Sequence, residues 1–115
     1  MKVIPLAKVE KKEVQMEGAV GASRQLPIGA ADGTPAYSLR VFTLEQGGNT
    51  PYHTHPYEHL NYVIEGEGAH VNAAGEETPL KAGDFALVDP DEKHQYRNKG
   101  SQPFKMICGV PKEFE

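Results

Sequence analysis

The feature that most restricts the fold of this chain is the regular return of short apolar runs separated by turn residues. From Tyr37 to the end, β-forming stretches recur about every ten residues, with a turn signal between each pair. The 12 Gly and 9 Pro residues supply these turns. No amphipathic helix of useful length is evident, so the pattern predicts an all-β protein of the sandwich or barrel type.

The strands can be assigned from this pattern with approximate bounds. The predicted strands are Tyr37–Leu44, His59–Ile64, Gly68–Val71, Glu76–Leu80, Phe85–Val88, Gln95–Arg97 and Phe104–Val110. Glu45–Gly48 is predicted to be the turn after the first of them. The Gly- and Ala-rich residues 18–33 are predicted to be loop with at most one short strand, and residues 3–6 an edge strand.

Two predictions follow from the alternation of side chains along a strand. On the last strand, Phe104, Met106 and Cys108 share one face and Lys105 lies on the other, which places the first three inside the barrel. For Arg40, in the middle of the first strand, parity does not settle the face. The alternatives are a contact with a substrate carboxylate in the barrel mouth and a solvent-facing side chain, and we favour solvent.

Length and charge exclude several classes of protein. A chain of 115 residues suits one domain with one core, here residues 1–115. The net charge of −4 comes without a basic cluster, which argues against a nucleic-acid partner. No apolar stretch approaches the about 20 residues that span a bilayer, and the N-terminus lacks the apolar region of a secretory signal. The single cysteine, Cys108, excludes an internal disulfide and fits a reducing, cytoplasmic location.

The five histidines carry the strongest chemical signal in the sequence. His53, His55 and His59 lie within one short segment and share strand parity, so their imidazoles face the same way. Closure of a barrel would bring His94 opposite them from a distant strand. Neutral imidazole is a common ligand of zinc, copper, iron and nickel. We therefore predict a metal site at these four residues, and we assign His70 to a hydrogen-bonded or solvent-facing role.

Residues 47–98 resemble the two motifs of the cupin superfamily. Gly47, His53, His55 and Gly66 occupy positions of the first motif, here residues 47–66, and His59 stands where the family usually has glutamate. Gly83, His94 and Asn98 occupy positions of the second motif, here residues 83–98. The usual proline and glycine between Gly83 and His94 are not in register, and residues 89–92 occupy that region.

The resemblance implies a single-domain cupin β-barrel, a double-stranded β-helix of the jelly-roll type. It also implies one divalent transition metal ion, with manganese, iron, nickel, copper and zinc all compatible with an all-histidine site. Without a carboxylate ligand the site would keep the full charge of the ion, which favours an anionic or enolate-like ligand. An alternative is that Glu58 replaces His59 through a one-residue slip at Pro56, which would reverse every following side chain.

Three functions remain open from the sequence. The first is a metal-dependent enzyme acting on a small organic molecule, dioxygenase-like, or an isomerase or cyclase in which the ion polarises a carbonyl. The second is a non-enzymatic module that binds a small molecule or the metal, since no catalytic group is visible outside the metal ligands. The third is a structural ion. The resemblance further implies a homodimer, in which residues 3–6 could add a strand to the partner's sheet.

Overall fold

The computed structural model describes the whole chain, Met1–Glu115, and almost all of its regular structure is β. Three short 3-10 helices cover Leu6–Lys8, Ala30–Asp32 and Lys112–Phe114, and none of them is long and apolar enough to cross a membrane. The strands are β1 (Lys12–Glu13), β2 (Val20–Ile28), β3 (Tyr37–Asn49), β4 (His59–Glu65), β5 (Glu67–Val71), β6 (Glu77–Lys81), β7 (Phe85–Val88), β8 (Gln95–Asn98) and β9 (Phe104–Pro111).

The strands form one antiparallel sheet that curls into a half-barrel. The order is β6-β5-β8-β3-β9-β4-β7, and β2 adds to β3 and carries β1. The long strand β3 curls the sheet because its partners change along its length. Its first part pairs with β9 from Tyr37↔Pro111 to Leu44↔Phe104, whereas Asn49 at its end pairs with Arg97 of β8. The predicted all-β architecture is confirmed.

The core lies on the concave face of this sheet. Phe104, Met106 and Cys108 of β9 are buried, as their alternation predicted. Leu44 and Val63 from the neighbouring strands β3 and β4 are also almost fully buried. Because successive side chains of a strand point to opposite faces, the buried set of β9 fixes which residues of β3 share the interior.

Three sequence-based assignments in the first half of the chain need correction. Residues 20–28 form the nine-residue strand β2, where a loop with at most one short strand was predicted, because their backbone pairs with β3 from Ala22↔Leu44 to Ile28↔Leu39. Tertiary pairing here overrides the weak β propensity of glycine and alanine. The predicted turn at Glu45–Gly48 is part of β3, which continues to Asn49. Gly47 has a φ of 76°, a conformation that lets the strand twist without ending.

Residues 3–6 do not form the predicted edge strand. Pro5 has no N–H to donate, and a 3-10 helix begins at Leu6. The side chain of Gln25 donates hydrogen bonds from Nε2 to the carbonyls of Leu6 and Val9, both at 3.0 Å, which occupies acceptors that a strand would offer to a neighbour. Addition of this segment to a partner's sheet stays a prediction, and the structure has no edge strand here that would support it.

Candidate metal centre

The backbone itself brings the two histidine-bearing segments together. His53, in the connection after β3, and His94, just before β8, form an isolated antiparallel bridge. Each residue donates its N–H to the carbonyl of the other at 3.1 Å. Next to this bridge the N–H of Thr50 bonds to the carbonyl of Tyr96 at 2.9 Å. Two segments distant in sequence are thus joined directly at the residues that carry the imidazoles.

Three imidazoles converge at the bridge. One ring nitrogen from each of His53, His55 and His94 can be chosen so that all three atoms lie within 4.8 Å of one another. The ring centroids are 5.2 Å apart for His53 and His55, 5.2 Å for His53 and His94, and 4.7 Å for His55 and His94. His94 is 2% exposed and His55 is 9% exposed. This spacing is compatible with three nitrogens sharing one ion.

Hydrogen bonds to the backbone fix the orientation of two of these rings. Nδ1 of His55 donates to the carbonyl of Tyr57 at 2.8 Å, and Nδ1 of His94 donates to the carbonyl of Glu92 at 2.8 Å. Because a carbonyl oxygen only accepts, each Nδ1 carries the proton and each Nε2 carries a lone pair. Nε2 of His55 is buried without any hydrogen-bond partner. A protonated Nδ1 on a carbonyl and an unpartnered Nε2 form the usual arrangement of a metal-binding histidine, so these residues fit an ion.

His59 faces the same region but is engaged differently. Its ring centroid lies 4.3 Å from that of His55 and 5.5 Å from that of His94, and the residue is 9% exposed. Nε2 of His59 accepts a hydrogen bond from Nη2 of Arg40 at 3.2 Å. His59 is not one of the three residues whose ligand atoms converge. Its role as a fourth ligand stays a prediction, and it requires that Arg40 release this lone pair.

Burial keeps the four histidines neutral. Loss of contact with water lowers the pKa of His59 to about 2 and that of His94 to about 4. After desolvation, the positive charge of Arg40 is the next largest cause of the lowered pKa of His59. Desolvation also lowers the pKa of His53 and of His55. Because only the neutral ring binds a metal, protons compete weakly with an ion at neutral pH.

We expect the metal-free protein to lose stability as the pH falls below the ordinary histidine range. His94 has a pKa of about 4 in the folded state against 6.5 for an unperturbed histidine. Between these values the unfolded chain binds more protons than the folded one. The free energy of unfolding therefore decreases as the pH is lowered from 6.5 towards 4. Urea unfolding in a chelating buffer at several pH values measures this slope.

The matched variant for this experiment is His94→Asn, which cannot take up the proton. Its free energy of unfolding should depend less on pH in the same window than that of the wild type. Equal slopes for the two proteins would contradict the assignment of this pH dependence to His94.

The histidines line a cavity of about 90 Å³, and most of the other residues that line it are apolar. None of its lining residues is an aspartate or a glutamate. The only charged side chain among them is Arg40. The lining residues outside the histidines are Val14, Met16, Ala22, Arg40, Phe42, Thr50, Pro51, Tyr57, Asn61, Tyr96, Met106 and Cys108.

The preference for a solvent-facing Arg40 was wrong. Arg40 is 6% exposed and lines the cavity. The register explains this, because Arg40 is the cross-strand partner of Cys108 and Phe42 is that of Met106. Directly opposed residues of an antiparallel pair share a face, so the inward side of β9 places Arg40 inside. Cys108, assigned to the core, is buried and also lines the cavity, and burial raises the pKa of its thiol.

Two further cavity residues were not anticipated from the sequence. Asn61 shares strand parity with His59, and its Oδ1 accepts a hydrogen bond from the Tyr96 hydroxyl at 2.7 Å. Tyr57 stacks on His55 with ring centroids 4.0 Å apart, and Phe114 from the last 3-10 helix stacks on the other face of Tyr57 at 4.2 Å. Parity with a candidate ligand is the signal that could have identified Asn61.

The remaining sequence-based alternatives have clear positions. The carboxylate of Glu58 accepts a hydrogen bond from the Tyr37 hydroxyl at 2.5 Å and does not line the cavity, so the structure gives no support to a slip that replaces His59. His70 does not line the cavity either, and its ring packs against Tyr96. Asn98 holds a turn, since its Nδ2 donates to the carbonyls of Leu44 and Gln102.

Comparison with known families gives a match over most of the described fold. The family described as Cupin domain matches residues 40–110, which include most of β3 and β9, all of the strands between them and all four histidines discussed above. The matched region thus contains most of the curled sheet and all of the residues that line the cavity except Val14, Met16 and Ala22.

Individual relatives carry several different activities. A gentisate 1,2-dioxygenase from Aquipseudomonas alcaligenes is 31% identical over 64 residues, 56% of this chain and 18% of that protein. A polyketide synthase, CurC, from Streptomyces cyaneus is 29% identical over 101 residues, which are 86% of this chain and 65% of that protein. An oxalate-binding protein from Thermotoga maritima is 32% identical over 69 residues, 58% and 55% respectively. The chain therefore spans less than two thirds of each of these relatives.

Solved structures resemble the whole chain more evenly. The polyketide cyclase RemF from Streptomyces resistomycificus has a TM-score of 0.91 at 26% identity, covering 96% of this chain and 79% of that one. A predicted oxalate decarboxylase from Thermotoga maritima has a TM-score of 0.84 at 22% identity, covering 96% and 98%. The second likeness bears on the fold alone.

Proposed function

Because the chain belongs to the cupin family, we propose that it holds one divalent transition metal ion in the histidine cavity and acts on a small organic molecule there. The observation that carries this proposal is the convergence of three imidazoles in a cavity, where one ring nitrogen of each lies within 4.8 Å of those of the other two. Neutral nitrogen ligands suit manganese, iron, nickel, copper and zinc, so the residues do not select one of these.

The proposed ligands are His53, His55, His94 and, after release by Arg40, His59. A divalent ion held by neutral ligands supplies Lewis acidity for a carbonyl or enolate oxygen. The residues of the chain then have three tasks. The carbonyls of Tyr57 and Glu92 hold two rings in the metal-binding tautomer. The apolar wall keeps water away, and the Asn61–Tyr96 pair offers polar groups to a substrate.

Ring closure of an enolisable, polyketide-like substrate is the reaction that we favour. The two relatives concerned with polyketides, CurC and RemF, are matched over 86% and 96% of this chain. An all-neutral ligand set also favours an enolate-like ligand, because it leaves the charge of the ion uncompensated. The sequence placed a cyclase among the alternatives, after a dioxygenase-like enzyme.

Oxygenation is the second candidate. Two gentisate dioxygenases match the chain, but they are longer proteins of which it spans 18% and 26%. An oxygenase requires a redox-active ion, whereas a Lewis-acid reaction also proceeds with redox-inert zinc. The identity of the supporting metal therefore separates the two candidates.

We expect the zinc-loaded protein to convert a short linear poly-β-keto acid into a cyclised product that has lost water, without consuming oxygen. Mass spectrometry of the product and an oxygen electrode measure the two quantities. The same protein loaded with Fe(II) or Mn(II) and supplied with gentisate tests the second candidate. A His53→Ala variant, loaded under the same conditions, provides the background rate.

The possible results separate the functions. Oxygen uptake with Fe(II) or Mn(II) and no reaction with zinc would favour the oxygenase. Binding of either compound without turnover by any of the loaded proteins would contradict an enzyme with these substrates and favour a binding module.

A further inference from the structure

We propose that Arg40 forms an anion subsite inside the cavity, which takes a carboxylate group of a small ligand with an apolar body. The proposal deepens the proposed function, because it assigns a substrate class to the same cavity. It rests on the burial and the missing partners of one guanidinium group.

Arg40 is a buried cation without an anionic partner. Its side chain is 6% exposed, and none of the residues that line the cavity is acidic. None of the ion pairs in the structure involves Arg40. An arginine remains charged in proteins, and burying an uncompensated charge is costly. The fold therefore keeps a desolvated positive charge at the cavity wall that an anion would neutralise.

Most donors of this guanidinium are unused. A guanidinium has five N–H donors, yet both of its hydrogen bonds come from Nη2, to Nε2 of His59 and to Sγ of Cys108, each at 3.2 Å. Both acceptors are neutral or weak. Nε is buried and has no partner. The ring of Phe42 lies 5.0 Å from Cζ and holds the guanidinium plane from one side.

An ion at the histidines would increase the demand for an anion. His59 has one lone pair on Nε2, and Arg40 now uses it. If His59 became a ligand through this atom, Arg40 would lose its better acceptor and would face a second positive charge. A carboxylate satisfies both needs, because its two oxygens match the fork of the guanidinium and its charge offsets the cation.

The other residues that line the cavity indicate what the rest of the ligand is made of. Val14, Met16, Phe42 and Met106 contribute apolar surface, and the enclosed volume is about 90 Å³. A short apolar or aromatic carboxylate fits this combination better than a sugar phosphate, which would need several polar partners. Acetate and benzoate are therefore suitable probes, with acetamide and benzamide as uncharged molecules of nearly the same shape.

We expect calorimetry to show binding of benzoate and acetate, but not of the amides, to both the metal-free and the zinc-loaded protein. Arg40→Gln should weaken benzoate binding at least about tenfold in both states, as is typical for loss of a charged hydrogen bond. The same variant should still bind zinc with unchanged stoichiometry. Arg97→Gln, on an exposed position of β8, is the matched control and should behave as the wild type.

A second measurement does not depend on the folding of a variant. In the wild type, the ¹⁵N-labelled Nε–H resonance of Arg40 should shift on addition of benzoate and stay in place on addition of benzamide. Absence of benzoate binding together with an unmoved resonance would overturn the proposal. Benzoate binding that survives Arg40→Gln would overturn it as well.

The metal-free arm separates this proposal from the metal-dependent function. If the protein takes up no zinc but binds benzoate through Arg40, the metal centre fails and the anion subsite stands. If Arg40→Gln instead lowers zinc affinity and leaves benzoate binding to the metal-free protein unchanged, Arg40 only positions His59, and the anion subsite is wrong.

Discussion

Replacement of His94 by alanine is expected to abolish stoichiometric metal binding, with a loss of affinity of at least about 100-fold. Changes in the groups that merely support metal ligands already cost 10- to about 100-fold, and loss of a ligand should cost more. His94 belongs to the three converging imidazoles, is 2% exposed, and has its ring fixed by the carbonyl of Glu92. Competition titration with a chromophoric chelator measures the affinity.

Two control variants sharpen this experiment. His70→Ala removes an imidazole outside the cavity and should leave the affinity unchanged. His59→Ala should lower it less than His94→Ala, because Arg40 holds the lone pair of His59. Far-UV circular dichroism reports whether each variant is folded. A folded His94→Ala protein that still binds one ion with wild-type affinity would show that the ion is held elsewhere.

Replacement of Gly66 by alanine should reduce the free energy of unfolding by about 2–4 kcal/mol. Gly66 has a φ of 86°, a region that costs an L-residue about 1–2 kcal/mol. A Cβ atom there would also overlap the carbonyl oxygen of Pro103 and lie 3.0 Å from Cα of Phe104. Because these are backbone atoms, the strand connection must shift, and overpacking of this kind costs about 1–3 kcal/mol. Urea unfolding followed by circular dichroism measures the difference.

Gly75→Ala separates the two causes. Gly75 has a φ of 80°, but a Cβ atom there would meet nothing within 4 Å. Gly75→Ala should lower the free energy of unfolding by about 1 kcal/mol. This is the cost of the left-handed backbone conformation, reduced by the stabilisation that comes from a stiffer unfolded chain. Equal losses in the two variants would mean that the close approach of Gly66 to Pro103 contributes nothing to stability.

Strands with strong β-forming residues were predictable from the sequence, and a strand that depends on its neighbours was not. The bounds predicted for Phe85–Val88 agree with β7, and those of β4, β8 and β9 differ by one residue. β2 was expected only as one short strand within a loop, because several of its residues carry little β propensity of their own. Its pairing with β3 is a long-range property, which local pattern cannot express.

The same division holds for the candidate site. The grouping of His53, His55 and His94 could be predicted because parity and a known motif pair both pointed to it. The inward position of Arg40 could not, since it depends on the register in which Arg40 faces Cys108 across two strands. The hydrogen bond from Arg40 to His59 depends on that register, so it could not be predicted from the sequence either.

The bridge between His53 and His94 has a consequence for how such a centre would be assembled. In small zinc-dependent domains the ion organises its ligands, and the chain is unfolded without it. Here two backbone hydrogen bonds join the two ligand-bearing segments directly. The apoprotein would therefore be preorganised, and metal exchange at the centre would be a local event that leaves the barrel intact.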